Sequence, residues 1–252
     1  MRMGLPSFGK KKIKHADESE RQMCRKRHFC FKALAERTIR DYLKKNKNSK
    51  KYQKIQNNAP SMHKCADTSY KRCPDHYIGY VSLKESNLFA IADLRYKNKR
   101  KALFHQSGDR SSIVIVLESP HVLEFRQQIT GPALGTTGEQ IHSHLWGILH
   151  KSGLLTKEKQ DVYLVNAVQY QCSLGFDTDL YRDLIFDAMW KIGESCLIHR
   201  VKKYSPATVI VASTKKFQKK IVEALKGQIS SKILEASSHP SVWDKNTDLS
   251  EV

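Results

Sequence analysis

Four short apolar runs, each leading directly into a polar stretch able to do chemistry, organise the second half of the chain. They are IVIVL (113–117), VYLV (162–165), TVIVA (208–212) and ILEA (233–236). The polar stretches after them are, in order, Glu-Ser-Pro-His (118–121), Asn-Ala-Val-Gln (166–169), Ser-Thr (213–214) and Ser-Ser-His-Pro-Ser (237–241). Runs of Val, Ile and Leu without alternation predict strands buried on both faces, hence a parallel sheet covered by helices. Helical spacing appears between them. It occurs at Ile141, Leu145, Ile148 and Leu149, then from Tyr181 through Leu184, Ile185, Ala188, Met189 and Ile192 to Cys196. A third set is Phe217, Ile221, Val222 and Leu225, with Ser213 or Thr214 as N-cap. This alternation predicts an α/β fold, a three-layer α/β/α sandwich around a central four-stranded parallel sheet. Ligands of such sheets bind beyond the carboxyl ends of the strands, where the polar stretches would converge.

The first 105 residues read differently. Phe31, Leu34, Ala35, Thr38, Ile39, Tyr42 and Leu43 keep helical spacing, and YIGYVSL with NLFAIADLRY (77–96) reads as a β-hairpin. The expected division is a basic, mainly helical extension with a hairpin over 1–105, and a catalytic α/β domain over 106–252.

Charge sharpens that division. Formal net charge is +19, yet residues 1–110 hold 28 Lys and Arg against 10 Asp and Glu, whereas 111–252 hold 16 against 15. A basic arm on a near-neutral core points to a polyanion, with nucleic acid first and an anionic membrane second. No apolar stretch approaches the roughly 18 residues of a membrane span, and the N-terminus lacks the apolar segment of a secretory signal. The expectation is a cytoplasmic, DNA-associated monomer that contacts no membrane and needs no protein partner.

Each strand end offers a chemical group. Glu118 stands before Ser119-Pro120, where proline stiffens the turn, and a carboxylate there can activate water or stabilise a developing cation. Asn166 carries both a donor and an acceptor, which suits the edge of a base. His239, as neutral imidazole, can donate to an oxygen gaining negative charge. The loop ITGPALGTTGEQ (129–140) is rich in Gly and Thr and could line a pocket, although it carries no Walker or dinucleotide fingerprint.

The ordered set ESPH (118–121), GPALG (131–135), NAVQ (166–169), PATVIVA (206–212) and SSHPS (237–241) resembles the uracil-DNA glycosylase superfamily. The stretch CLIHRVKKYSPATVIVAS (196–213) is similar to the helix-to-strand passage of its iron–sulfur-containing branch. The resemblance covers residues 111–243. It implies that Asn166 reads the base edge, that His239 stabilises the departing base and that Glu118 is the acidic residue of the water-activating loop. Ser119 falls where the best-known branch has its catalytic Asp, and His121 where that branch has a Tyr excluding 5-substituted pyrimidines. Pro120, Gly131, Pro132, Ser238 and Ser241 join the substrate-binding set, and Val242 with Trp243 falls where the family drives a wedge into the duplex.

The function this implies is a monofunctional DNA glycosylase that flips out a base and hydrolyses its N-glycosidic bond, leaving an abasic site. The absent Tyr favours a modified or 5-substituted pyrimidine, such as a hypermodified cytosine in viral DNA, which would make the enzyme an antiviral defence. The alternatives are a uracil-DNA glycosylase of base-excision repair and a glycosylase-like binding module without catalysis. A hydrolase using His142, His144 and His150 ranks below these, because His142 and His144 cannot share a helix face. The chemistry needs no cofactor. Cys24, Cys30, Cys65 and Cys73 are candidate ligands for a structural zinc, or, with Cys172 and Cys196, for the iron–sulfur cluster that the resemblance implies.

Overall fold

The computed structural model describes residues 72–85, 88–89, 111–125, 131–172 and 182–252, with isolated helical positions at 37–38, 41 and 44–45. The basic leader, the cluster 97–101 and most of the predicted helix at 31–43 lie outside the described residues. Of that helix, Arg37, Thr38 and Asp41 are described and helical.

Each apolar run is a strand. In chain order the elements are β1 (His76–Ser82), β2 (Leu88–Phe89), β3 (Ser112–Leu117), a 3₁₀ turn (Val122–Phe125), α1 (Thr136–Lys151) and β4 (Lys159–Asn166). Next come α2 (Arg182–Lys203), β5 (Pro206–Val211), α3 (Lys215–Leu225), β6 (Lys232–Ala236), a second 3₁₀ turn (Pro240–Val242) and β7 (Leu249–Glu251). They form one mixed, mostly parallel sheet of seven strands in the order β2-β1-β4-β3-β5-β6-β7. The expected four-stranded sheet is therefore too small. β4, β3, β5 and β6 are parallel neighbours, but antiparallel β1 and β7 extend both sides.

The hairpin's β1 and β2 pair through Tyr80 with Phe89 and Val81 with Leu88, and residues 90–96 lie outside the described residues. β1 also pairs with β4 along its length, so these residues belong to the sheet rather than standing beside it. A bulge between Tyr77 and Gly79 shifts the register, and Gly79 there has φ of +134°, which a side chain would resist.

Continuous apolar runs arise because alternate residues serve two cores. Val114, Val116, Val165, Val209 and Val211 pack with Phe186, Met189, Phe217 and Ile221 of α2 and α3. Ile113, Ile115, Leu117, Leu164 and Ile210 pack with Ile141, Leu145 and Leu149 of α1. Phe186 and Phe217 stack with centroids 4.0 Å apart, locking α2 to α3. Each such side chain, fully buried, contributes roughly 1.5–3 kcal/mol. β3 is buried at all six positions because it has parallel partners on both sides, β4 and β5. The chain reverses its direction of growth at β3, and this makes a crevice beyond the carboxyl ends of β3 and β5.

Candidate functional site

The crevice is occupied by the loops after β3, β4, β5 and β6, and it encloses a pocket of about 430 Å³. Glu118, Ser119, Pro120, His121, Asn166, His239 and Ser241, all expected at the site, line it. Leu117 stands in register with Asn166, so the ends of β3 and β4 carry Glu118 and Asn166 side by side.

Glu118 is 6% exposed. Thr214 Oγ1 donates to its Oε2 at 2.7 Å, and Arg182 Nε lies 3.4 Å from its Oε1. Thr214 is the N-cap residue of α3, but its hydroxyl is spent on Glu118 rather than on its own helix. Burial raises the Glu118 pKa, and the Thr214 bond and the Arg182 charge oppose that rise without cancelling it. The result is a carboxylate more basic than usual, oriented at both oxygens.

The loop after β6 positions His239. Pro240 opens the 3₁₀ turn, and the backbone N–H of Ser241 donates to His239 Nδ1 at 3.2 Å. A nitrogen that accepts an N–H carries no proton of its own, so the imidazole proton sits on Nε2. Burial, helped by the Arg182 charge, lowers the His239 pKa and keeps the ring neutral. His239 is thereby a neutral donor at the pocket wall.

Asn166 is 1% exposed. Its Nδ2 donates to Cys73 Sγ at 3.4 Å, while its Oδ1 finds no partner among the described residues. Arg200 supports the strand end from behind, with Nη2 donating to the Asn166 carbonyl at 2.7 Å and Nη1 paired with buried Asp75. The segment before β1 closes this corner: Cys73 N–H donates to the Gln169 carbonyl, and Gln169 Nε2 returns a bond to the Cys73 carbonyl.

Glu124 is a site residue that sequence reasoning missed. It lies in the 3₁₀ turn, lines the pocket and is buried. Burial pushes its pKa up to about 7 against hydrogen bonds from the backbone N–H groups of Ala133 and His121 and from the side chains of Cys73 and Asn166. An acidic residue inside the apolar stretch VLEF was the available signal. Thr137 of the Gly- and Thr-rich loop and Thr214 of the stretch after β5 also line the pocket, as does Arg182, which was not expected there. The Gly-rich loop is held tightly: Ala133 adopts φ of +58°, and a Cβ on Gly138 would lie 2.0 Å from the Ala133 carbonyl oxygen.

Other expected residues stand elsewhere. Gly131 and Pro132 are buried outside the pocket lining, as packing of the loop rather than as its wall. Ser238 contributes its carbonyl to Trp243 Nε1 at 3.1 Å. Trp243 is 2% exposed in the core against α1, so it cannot be a wedge; Val242, 65% exposed, remains available for that role. His142 and His150 are exposed on α1 and, with His144, lie outside the pocket lining.

Cys73 donates to Glu124 at 3.7 Å, and Cys172 donates to the Tyr170 carbonyl at 3.6 Å. Burial holds both thiols far above their usual pKa. Among the described residues no group of three His, Cys, Asp or Glu is gathered as a metal site. Cys24, Cys30 and Cys65 lie outside the described residues. No helix among the described residues is long and apolar enough to cross a membrane.

Compared with protein-family models, with curated proteins and with solved structures, the chain matches none of them.

Proposed function

We propose that this chain is a DNA glycosylase built as a three-layer sandwich of the uracil-DNA glycosylase type, acting on a modified or 5-substituted pyrimidine. The observation that carries this reading is the convergence of Glu118, Asn166 and neutral His239 on one pocket at the strand ends. A base extruded from DNA enters the pocket and meets Asn166 along its hydrogen-bonding edge. As the bond between the base nitrogen and C1′ breaks, its electron pair leaves with the base and the sugar becomes oxocarbenium-like. His239 Nε2–H donates to the base oxygen that gains charge. Glu118 stabilises the sugar cation and takes a proton from the water that bonds to C1′, leaving an abasic site. Ser119 cannot take that role, because a hydroxyl is a poor base at neutral pH.

The pocket's volume of about 430 Å³ has room for a substituted pyrimidine, and His121 rather than a Tyr lies on its wall. The surplus of Lys and Arg before residue 111 supplies sequence-independent affinity for phosphates, weakened steeply by salt.

The test is base release from a panel of labelled duplexes and single strands carrying uracil, mismatched thymine, 5-hydroxymethylcytosine and its glucosylated form. Abasic sites are read by alkaline cleavage. Release of a base that disappears in both Glu118→Gln and His239→Ala supports the reading. Salt-sensitive DNA binding with no release from any substrate would favour a binding module instead.

A further inference from the structure

The Asn166 amide is oriented in a way that constrains the substrate. Its nitrogen donates to Cys73 Sγ at 3.4 Å and is turned towards Glu124, whose carboxyl it hydrogen-bonds. Cys73 passes the chain on by donating to Glu124 Oε2 at 3.7 Å. Turning the amide over would take Nδ2 away from both of these acceptors, and would set Oδ1 against the carboxylate whenever Glu124 is ionised. The amide is therefore held one way round, and the atom left over is Oδ1, buried and without a partner among the described residues. A buried orphan acceptor in a pocket wall calls for a donor on the ligand. Beside it stands Glu124, whose described partners (the backbone N–H groups of His121 and Ala133, Cys73 and Asn166) are all donors.

We infer that Asn166 Oδ1, held in place by Cys73 and Glu124, presents an acceptor to the base, which selects a base carrying an exocyclic amine on its reading edge, the cytosine type, over one carrying a carbonyl there. This deepens the glycosylase reading and rests on it. An amine places an N–H against Asn166 Oδ1, whereas a carbonyl oxygen at the same place faces an acceptor and loses its own hydrogen bond from water. His239 sits on a different loop and serves the oxygen common to both base types, so it does not discriminate between them. Cys73 and Glu124 act through Asn166 and are positioning residues. Cys73 comes from the segment before β1, which links the choice of base to residues outside the four central strands.

The experiment compares two bases that differ only at this edge, 5-hydroxymethylcytosine and 5-hydroxymethyluracil, in the same DNA and with the full chain. Wild type is expected to release the amino base with kcat/KM about 10- to 100-fold higher. Cys73→Ser with Glu124→Gln, which supplies new donors around the amide, is expected to narrow that ratio below about threefold while release itself persists. Equal or faster release of the oxo base by wild type overturns the inference and leaves the glycosylase reading standing. An unchanged ratio in the double variant overturns the positioning role. Equilibrium binding of 2′-fluoroarabino versions, whose glycosidic bond resists cleavage, separates the two claims. If neither base is released, the glycosylase reading fails, and tighter binding of the amino base still supports the acceptor role of Asn166 Oδ1 while equal binding overturns it.

Discussion

Ser241 donates its backbone N–H to His239 Nδ1 at 3.2 Å, and its Oγ lies 2.9 Å from the same nitrogen. The imidazole is thus committed as a donor through Nε2. His239→Ala is expected to slow single-turnover base release on the order of 100- to 1,000-fold. Ser241→Ala keeps the backbone N–H and should slow it by about tenfold or less. The active form is neutral and its pKa is lowered by burial, so any loss of activity from protonating His239 appears only as pH falls below the usual histidine range. A pH–rate profile of wild type checks this.

Arg200 and Asp75 form a buried pair that holds the end of β4. Removing one member leaves an uncompensated buried charge. Asp75→Leu or Arg200→Met is expected to destabilise by about 3–5 kcal/mol in denaturant unfolding, and the double variant by clearly less than the sum.

Two glycines of α1 separate packing from propensity. Gly138→Ala drives a Cβ into the backbone carbonyl of Ala133, so it should destabilise by roughly 1–3 kcal/mol and distort the pocket loop. Gly147→Ala meets nothing within 4 Å and should stabilise by about 0.5–1 kcal/mol. Thermal midpoints of the two variants would move in opposite directions.

Glu124 has a folded pKa of about 7 against a usual 4.5, raised by burial. The folded state therefore holds its proton more tightly than the unfolded state. The stability this contributes is complete below about pH 4.5 and is lost as pH rises through 7, an effect on the order of 3 kcal/mol. The stability difference between wild type and Glu124→Gln should shift in the variant's favour across that interval. A difference that stays flat from pH 5 to 8 would contradict the assignment.

The apolar runs, the helical stripes and the order of the polar stretches are legible in the chain because burial imposes a period on local sequence. Strand ends follow from where each run stops, and this alone brings Glu118, Asn166 and His239 to one edge. Register decides the rest. Leu117 opposite Asn166, and Thr214 against Glu118 from 96 residues away, exist only once the strands align. β7 escapes a sequence reading because its three residues are too short for a period to show, and the hairpin's place in the sheet escapes it because the pairing of β1 with β4 is long-range. Trp243 is misread from sequence because its position after His-Pro-Ser says nothing of which way the 3₁₀ turn aims it, and that turn carries it into the core against α1. Glu124 and Cys73 become part of the site because packing from distant parts of the chain brings them to the Asn166 amide, a meeting that no local pattern in the sequence marks.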